Sequence, residues 1–284
     1  MGHHYVPQRY LRNFQDTSRA GLIWMFDKAS GQSKETPIKA VAQEARFYEP
    51  EIEVKLNEAV EKPANPVMDK LLRGEGPTTQ ERSSLAVYIA VMLKRVPYRR
   101  RRTSLFVPQV LEETVVEVRD WLRSLIGDTE LDQTVLHERI AQVDAIYEKY
   151  KGHPPSEVVR QIREPWPTAE MIGLLRQMTW RVLEASGPNS FMTCDNPAFF
   201  FTAYGLKNPD AEVCFPLSTK CALHCCWQKT NANVVFLDAA QSFVREINRR
   251  LASTTLRFAF YHERAEWVHK LLSKDSPYLS RIRW

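Results

Sequence analysis

The residues best suited to chemistry near the start of the chain are two adjacent histidines, His3 and His4. An imidazole held on a rigid base can act as a general base or as a metal ligand near neutral pH. Neighbouring side chains point about 100° apart on a helix and to opposite faces of a strand. We therefore expect one histidine to do chemistry and the other to support it. The alternative is that both bond loop backbone and lock this segment against the core.

The segment after the histidines is predicted to hold them in place. Pro7 favours an extended chain before it, and residues 8–14 have the spacing of a short helix that directs three large apolar or aromatic side chains inward. Such a helix would give the histidines a rigid base. Arg9 and Arg12, three positions apart on it, can add positive charge to a phosphate-binding surface.

A carboxylate far along the chain is the second candidate. Asp195 follows an apolar strand predicted at residues 191–193 and precedes Asn196 and Pro197. A carboxylate at a strand end, with proline fixing the exit of the chain, is a common position for a catalytic or metal-binding acid. It is equally common in an Asx-turn, where the side chain satisfies backbone N–H groups. The residues leave both roles open.

The strongest local charge feature is a group of six basic residues within nine positions, Lys94, Arg95 and Arg99–Arg102. Guanidinium groups can hold phosphates, and Tyr98 beside them can stack on a base, which favours contact with nucleic acid. The alternative for most of residues 99–102 is a solvated helix end that complements the helix dipole. Arg95 lies closer to a buried helix and is the stronger candidate for phosphate contact.

Four short motifs and one asparagine are spread over nearly the whole chain. They are HHYVPQRYLRNF at residues 3–14, KRVP at 94–97, FMTCDNP at 191–197 and FPLS at 215–218, with Asn248 further on. Together they resemble the signature of a mostly bacterial family built on a domain of unknown function, in which the third motif usually has serine in place of the cysteine. The resemblance implies membership of that family and no settled activity.

The leading hypothesis is an enzyme, a phosphodiester hydrolase or nuclease acting on nucleic acid, in bacterial defence or toxin function. Imidazole, carboxylate and amide groups would form either a ligand set for Mg²⁺, Mn²⁺ or Zn²⁺ or a metal-free acid–base pair, so a divalent metal ion is the candidate cofactor. The predicted catalytic residues are His3, His4, Asp195, Asn196 and Asn248. The predicted substrate-binding residues are Gln8, Arg12 and Arg95.

Two other classes of function stay open. One is a non-catalytic nucleic-acid or ligand-binding module in which the same motifs are structural latches. The other is a protein–protein component. The sequence contains no Walker loop, dinucleotide glycine fingerprint or nucleophile elbow, so nucleotide hydrolysis by those routes is unsupported.

The helices and strands predicted to position these residues indicate an α+β fold. We expect a single family domain with an N-terminal motif and β-hairpin unit (1–50), a helical region (51–186) and a β-rich region (187–284). In this fold a mixed C-terminal sheet is flanked by helices. The hairpin is predicted over residues 21–41, with Ser30 and Gly31 at its turn.

The helical region carries the clearest periodic patterns. Pro63 and Pro66 are predicted to break its first helix into two pieces. The second begins with a capping box at Thr78 and Glu81, and its apolar centre marks it as the central helix. The third and fourth are predicted to form an antiparallel pair that covers the core. In order, the predicted helices are 52–72, 78–96, 110–125, 131–150 and 168–186.

The C-terminal region is predicted to alternate short strands with two helices. The predicted strands are 190–202, 213–217, 222–228, 234–237 and 257–261, and the predicted helices are 239–253 and 263–272.

Composition limits the class of protein. The 284 residues are 44% hydrophobic and 26% charged, enough for a large core without disulfides or structural metal. The five cysteines lie in the last third without staple-like spacing, which predicts reduced thiols. The net charge of +5 permits contact with a polyanion. Without a secretory segment or an apolar run longer than residues 85–93, we expect a cytoplasmic protein that does not enter membranes.

Overall fold

Residues 2–45, 47–128, 132–151, 164–200, 205–230 and 232–273 are described by the computed structural model, without the side chains of 99–108, 110 and 111. The chain divides into two units, one of residues 1–98 with 165–284 and one of residues 99–164. The fold is α+β with a mixed sheet in the C-terminal region, which confirms the predicted class. The grouping of all three regions into one family domain stays a prediction.

The helices follow the predicted order, although α5 begins at residue 97 and not at 110, and two further differences are described below. They are α1 (Gln8–Leu11), α2 (Pro50–Leu56), α3 (Lys62–Leu72), α4 (Thr79–Lys94), α5 (Pro97–Ser124), α6 (Gln133–Tyr150), α7 (Ala169–Gln177), α8 (Gln241–Thr254) and α9 (Glu266–Leu272). Short 3₁₀ turns cover Arg12–Phe14 and Ile38–Ala40, and a π-helical turn covers Asn57–Glu61.

The strands form three sheets. They are β1 (Gly2–His4), β2 (Leu22–Asp27), β3 (Gln32–Pro37), β4 (Gln43–Ala45), β5 (Thr179–Glu184), β6 (Thr193–Cys194), β7 (Phe199–Phe200), β8 (Glu212–Pro216), β9 (Cys221–Cys226), β10 (Val234–Asp238) and β11 (Phe258–Tyr261). The sheet orders are β1-β4, β3-β2-β11-β6 and β10-β5-β9-β8-β7. Only β10 and β5 pair in parallel among these strands.

The predicted hairpin is confirmed, and it shares a sheet with the far end of the chain. β2 and β3 pair antiparallel, with Asp27 opposite Gln32 across the turn. β11 adds to the free edge of β2, with Tyr261 opposite Trp24. β11 also pairs with β6, which consists of Thr193 and Cys194 of the FMTCDNP motif. The N-terminal and C-terminal β regions therefore build one four-stranded sheet.

The central helix is also confirmed. Thr78 caps α4 by accepting the N–H of Glu81, and the Glu81 carboxylate accepts the N–H of Thr78, which completes the capping box. Most side chains between Leu85 and Leu93 are buried. A helix that is apolar on every side is stable only when other elements surround it, and α3 and α7 pack against α4.

The predicted helix over residues 168–186 is wrong in its second half. α7 ends at Gln177, Met178 takes an extended conformation, and residues 179–184 form β5. β5 lies between β9 and β10, and its residues 179–183 are buried. A strand covered on both faces lacks the alternation of a half-exposed strand, so its apolar run is easily taken for the continuation of a helix.

The predicted break at Pro63 and Pro66 is replaced by a change of helix type. α2 continues through the π turn into α3 without a gap. Lys62 donates its N–H to the carbonyl of Asn57, five residues earlier, directly before Pro63. Since a proline ring clashes with the carbonyl four residues before it in an α-helix, widening the backbone at this point lets the helix continue.

The second unit contains α6 and nearly all of α5. Arg119 lies 3.4 Å from the carboxylate of Asp144, and the hydroxyl of Tyr147 lies 3.4 Å from that of Glu112, so the two helices run antiparallel as predicted. Whether this pair covers the core stays a prediction. The side chains of Arg99–Arg102 lie outside the described residues. Within the described ranges, no helix is both long enough and apolar enough to cross a membrane.

The capping box provides a test of the fold. We expect Thr78→Ala to lower the free energy of unfolding by about 1 kcal/mol, because the N–H of Glu81 loses its acceptor. Urea unfolding followed by circular dichroism measures the change. Thr79→Ala is the matched control, since Thr79 is equally exposed but lies inside the helix. Equal losses in both variants would contradict the capping role.

Candidate functional site

The N-terminal strand sends its two histidines to opposite sides. β1 pairs antiparallel with β4, with His3 opposite Glu44 and His4 opposite Gln43. Because successive side chains of a strand point to opposite faces, the two imidazoles meet different neighbours. The expected difference between their roles therefore has a structural basis.

A buried tyrosine anchors this strand to both large sheets. The hydroxyl of Tyr10 donates to the carbonyl of Pro216 at 2.8 Å and accepts from the hydroxyl of Thr193 at 2.8 Å. Asn13 donates to the carbonyl of Leu217 at 2.9 Å. The first, third and fourth motifs therefore meet in space. The predicted inward packing of this segment is confirmed, because Tyr10, Leu11 and Phe14 are fully buried.

His3 acts as a structural latch. Its Nδ1 accepts the backbone N–H of Tyr48 at 3.0 Å, and its ring stacks on the ring of Tyr48 with centroids 6.4 Å apart. A carboxylate oxygen of Glu53 lies 3.8 Å from the same nitrogen. Since Nδ1 already accepts a hydrogen bond, His3 holds the chain around residue 48 against β1.

His4 lines an open cleft, and one of its ring nitrogens has no hydrogen-bond partner among the described residues. Its Nε2 lies 3.3 Å from the carbonyl of Lys39. A carbonyl can only accept, so Nε2 carries the proton and Nδ1 is left as the basic nitrogen. Burial lowers the pKa of His4 below its ordinary value of 6.5, and the hydrogen bond to Lys39 and the charge of Glu53 offset this only in part. The imidazole is therefore neutral at neutral pH.

The cleft beside His4 has a volume of about 360 Å³, and we refer to it as the His4 cleft. Its walls come from the N-terminal motif, from α2 with the π turn, and from the residue that follows α4. The lining residues are His4, Pro7, Gln8, Arg9, Glu53, Val54, Leu56, Asn57, Glu61 and Arg95.

Arg95, from the second motif, closes the inner end of this cleft. Only 3% of its surface is exposed. One terminal nitrogen donates to Glu61 at 2.7 Å, and the other donates to the backbone carbonyl of His4 at 2.7 Å. Its Nε is buried without an acceptor among the described residues. Arg95 therefore fixes the strand that carries His4 and adds its charge to the wall of the cleft.

Sequence reasoning missed the acidic and amide side chains of the opposite wall. Glu53 projects from α2, and Asn57 and Glu61 belong to the π turn. π turns inside helices are frequent at functional sites. The signal available in the sequence was the pair Pro63 and Pro66 in a helical pattern, which forces a local change of backbone.

The other predicted substrate-binding residues divide between the cleft and the surface. Gln8 lines the cleft, and Arg9 lines it while donating to Asp69 at 2.6 Å. Arg12 is exposed and is not among the residues that line the cleft. Of the two arginines predicted to contribute to a phosphate-binding surface, Arg9 therefore lines the cleft and Arg12 does not.

The carboxylate of Asp195 accepts hydrogen bonds from the backbone. It accepts the N–H groups of Leu256 at 2.9 Å, Arg257 at 2.6 Å and Phe258 at 2.9 Å, and only 1% of the residue is exposed. Burial raises the pKa of Asp195 to about 6, although the three N–H groups favour the ionised form. The side chain therefore satisfies backbone donors, as the alternative role proposed, but these donors lie 61 to 63 residues away and not in the Asx-turn considered from the sequence.

The two asparagines also bond backbone. The amide of Asn248 accepts the N–H of Met192 at 3.0 Å and donates to the carbonyl of Ser190 at 2.9 Å. Asn196 donates to the carbonyl of Thr254 at 3.4 Å. Both contacts join the FMTCDNP segment to α8.

The structure thus brings His4, Gln8 and Arg95 into one cleft, while Asp195, Asn196 and Asn248 lie outside its lining. In the described part of the chain, no three His, Cys, Asp or Glu side chains are grouped so that they could hold a metal ion. The residues of this cleft therefore do not fit the divalent ion considered from the sequence, and no step below depends on one.

The chain belongs to the family described as protein of unknown function (DUF4238), whose model matches residues 2–265. Comparison with curated proteins and with solved structures found no significant match for this chain.

The latch formed by Asp195 can be tested by removing it. We expect Asp195→Ala to lower the free energy of unfolding by about 3 kcal/mol or more, because three backbone N–H groups lose their acceptor at about 1 kcal/mol or more each. Urea unfolding measures the loss. Asp238→Ala is the matched control, because Asp238 ends an edge strand and is exposed. A loss below 1 kcal/mol for Asp195→Ala would contradict the latch.

Proposed function

We propose that the His4 cleft hydrolyses phosphodiesters, with His4 as the general base. The observation that carries this proposal is a neutral imidazole in an open cleft, whose Nδ1 has no partner among the described residues, with the buried guanidinium of Arg95 in the wall of the same cleft. A base whose pKa lies near or below the working pH is available to take a proton from water.

The chemistry needs only side chains of this cleft. His4 Nδ1 takes a proton from a water molecule while the water oxygen forms a bond to phosphorus. The bond from phosphorus to the leaving oxygen then breaks, and the imidazolium returns its proton to that oxygen. Arg95 stabilises the charge that develops on the phosphoryl oxygens, and Gln8 and Asn57 orient the substrate by hydrogen bonds.

Nucleic acid is the proposed substrate. The cleft volume of about 360 Å³ lies at the lower end of the range found for ligand pockets and accommodates one phosphodiester with part of its flanking groups. Arg9 and Arg95 supply cationic groups in the cleft, and the exposed Arg12 adds charge on the same helical segment. The net charge of +5 favours encounter with a polyanion.

A second candidate is a nucleic-acid or ligand-binding module without catalysis. The observation that favours it is charge compensation, because Arg95 pairs with Glu61 and Arg9 pairs with Asp69. In that case His4 is a latch between β1 and Lys39. The two candidates predict different effects of removing the His4 imidazole on hydrolysis and on stability.

We expect His4→Ala to reduce hydrolysis of a phosphodiester by a factor of about 10² to 10⁴, the usual contribution of a general base. The assay follows bis(p-nitrophenyl) phosphate and short DNA and RNA oligomers, with Mg²⁺, with Mn²⁺ and with a chelator. His4→Gln keeps a donor for the Lys39 carbonyl but cannot take the proton, so it should lose activity while keeping its melting temperature.

His137→Ala is the control, since His137 is exposed on α6. Equal activity of the wild type and both His4 variants, or no hydrolysis under any condition, would contradict the enzyme. Binding of oligomers that weakens steeply with salt, together with a lower melting temperature for His4→Ala, would establish the binding module instead.

The pH dependence gives an independent test. Because burial lowers the pKa of His4 below 6.5, the neutral base predominates above that pH. We expect kcat/KM to be nearly constant around pH 8 and to fall along an acid limb whose midpoint lies below pH 6.5. A profile whose acid limb has its midpoint above pH 6.5 would contradict His4 as the base.

We also propose a cytoplasmic location, supported by five buried cysteines that are all free thiols. A role in bacterial defence or as a toxin stays a prediction that belongs to the enzyme hypothesis.

A further inference from the structure

A second cleft lies between α8 and α9, on the side of the C-terminal helices. Its volume is about 330 Å³, and we refer to it as the Trp267 cleft. No residue of the His4 cleft lines it. Any ligand that it binds is therefore independent of the proposed hydrolysis.

The spacing of the sequence places six of the eight lining residues on facing sides of the two helices, and Asn189 and Ser190, from the segment before β6, complete the lining. Arg245, Asn248 and Arg249 follow the i, i+3, i+4 pattern on α8, and Trp267, Lys270 and Leu271 follow the same pattern on α9. Residues at this spacing share one face of a helix. Each helix therefore turns a mixed cationic and polar or apolar face toward the cleft.

The charge of the cleft has one sign. Arg245, Arg249 and Lys270 line it, and no carboxylate does. Arg249 pairs with Glu246 at 3.0 Å, whereas Arg245 and Lys270 make no ion pair within the described ranges of the chain. Three cations around one cleft repel each other, and an anion between them would remove that repulsion.

An apolar platform lies beside these cations. Trp267 and Leu271 are half-buried and pack against the apolar cluster beneath the helices. Part of the indole therefore faces the cleft while its other part is fixed by the core. An indole held in this way is a surface on which a flat ring can stack. The side chain of Asn248, buried and bonded to Ser190 and Met192, forms a rigid floor.

We propose that the Trp267 cleft binds a nucleoside monophosphate, with the base stacked on Trp267 and the phosphate held by Arg245, Arg249 and Lys270. An anion alone would not use the indole, and an uncharged ring would not use the three cations. A mononucleotide uses both, and its size is compatible with a cleft of about 330 Å³.

Isothermal titration calorimetry of the full chain with AMP tests this proposal, with adenosine and inorganic phosphate as separate titrants. We expect AMP to bind at least tenfold more tightly than either of them. The double variant Arg245→Ala/Lys270→Ala should weaken AMP binding at least tenfold, and Trp267→Leu should weaken it by a similar factor. Arg264→Ala is the matched control, because Arg264 is exposed but does not line the cleft.

Affinity for AMP should not change in His4→Ala, which separates this site from the proposed hydrolase. Equal binding of adenosine and AMP, loss of binding in His4→Ala, or no binding of AMP would each overturn the proposal. Binding of single-stranded oligomers without binding of AMP would overturn it as well, since the surface would then recognise a polymer.

Discussion

The hydrogen bonds of one buried hydroxyl hold the N-terminal motif against the two large sheets. Tyr10 is fully buried, donates to Pro216 in β8 and accepts from Thr193 in β6. A hydroxyl at this depth costs free energy unless its partners are present. The N-terminal motif is therefore stable in its position only when both sheets have formed, and the strand with His3 and His4 depends on the same contact.

The polar residues of one short motif can serve structure at one position and line a cleft at the next. His3 uses its ring nitrogen to hold backbone, while His4, on the opposite face of the same short strand, faces an open cleft. Asp195 and Asn248 resemble His3 in this respect, because their polar atoms satisfy buried backbone groups of neighbouring elements. Such residues tolerate little change because an unpaired buried donor or acceptor is costly.

Basic side chains also serve two purposes, one as buried structural partners and the other as charges exposed to solvent. Arg95 is buried and would be costly to desolvate alone, so it pairs with Glu61 and with the carbonyl of His4. The result is a rigid cleft wall rather than a free cation. Arg245 and Lys270, by contrast, are exposed on helices and keep their charge available to solvent and ligands. The difference comes from burial, since the residue types are equally basic.

The features that the sequence predicted correctly depend on neighbours along the chain. The capping box at Thr78 and the hairpin over residues 21–41 involve contacts within a few residues or one tight turn. The wrong helix over residues 168–186 depends on contacts from elsewhere in the chain, because β9 and β10 pair with both edges of β5 and its residues 179–183 are buried. A local hydrophobic pattern indicates which side of an element faces solvent. It cannot do so where both faces of the element are covered.

The sequence by itself determined the family, the α+β class and the polar residues that are candidates for a functional site. Only the tertiary structure decided which of them share a space: His4, Gln8 and Arg95 join Glu53 and Glu61 in one cleft, while the carboxylate of Asp195 is enclosed by backbone. The physical reason is that a polar side chain can form a hydrogen bond with any suitable donor or acceptor, whichever segment of the chain carries it. Whether it meets backbone or solvent is set by packing between segments that are far apart in the chain.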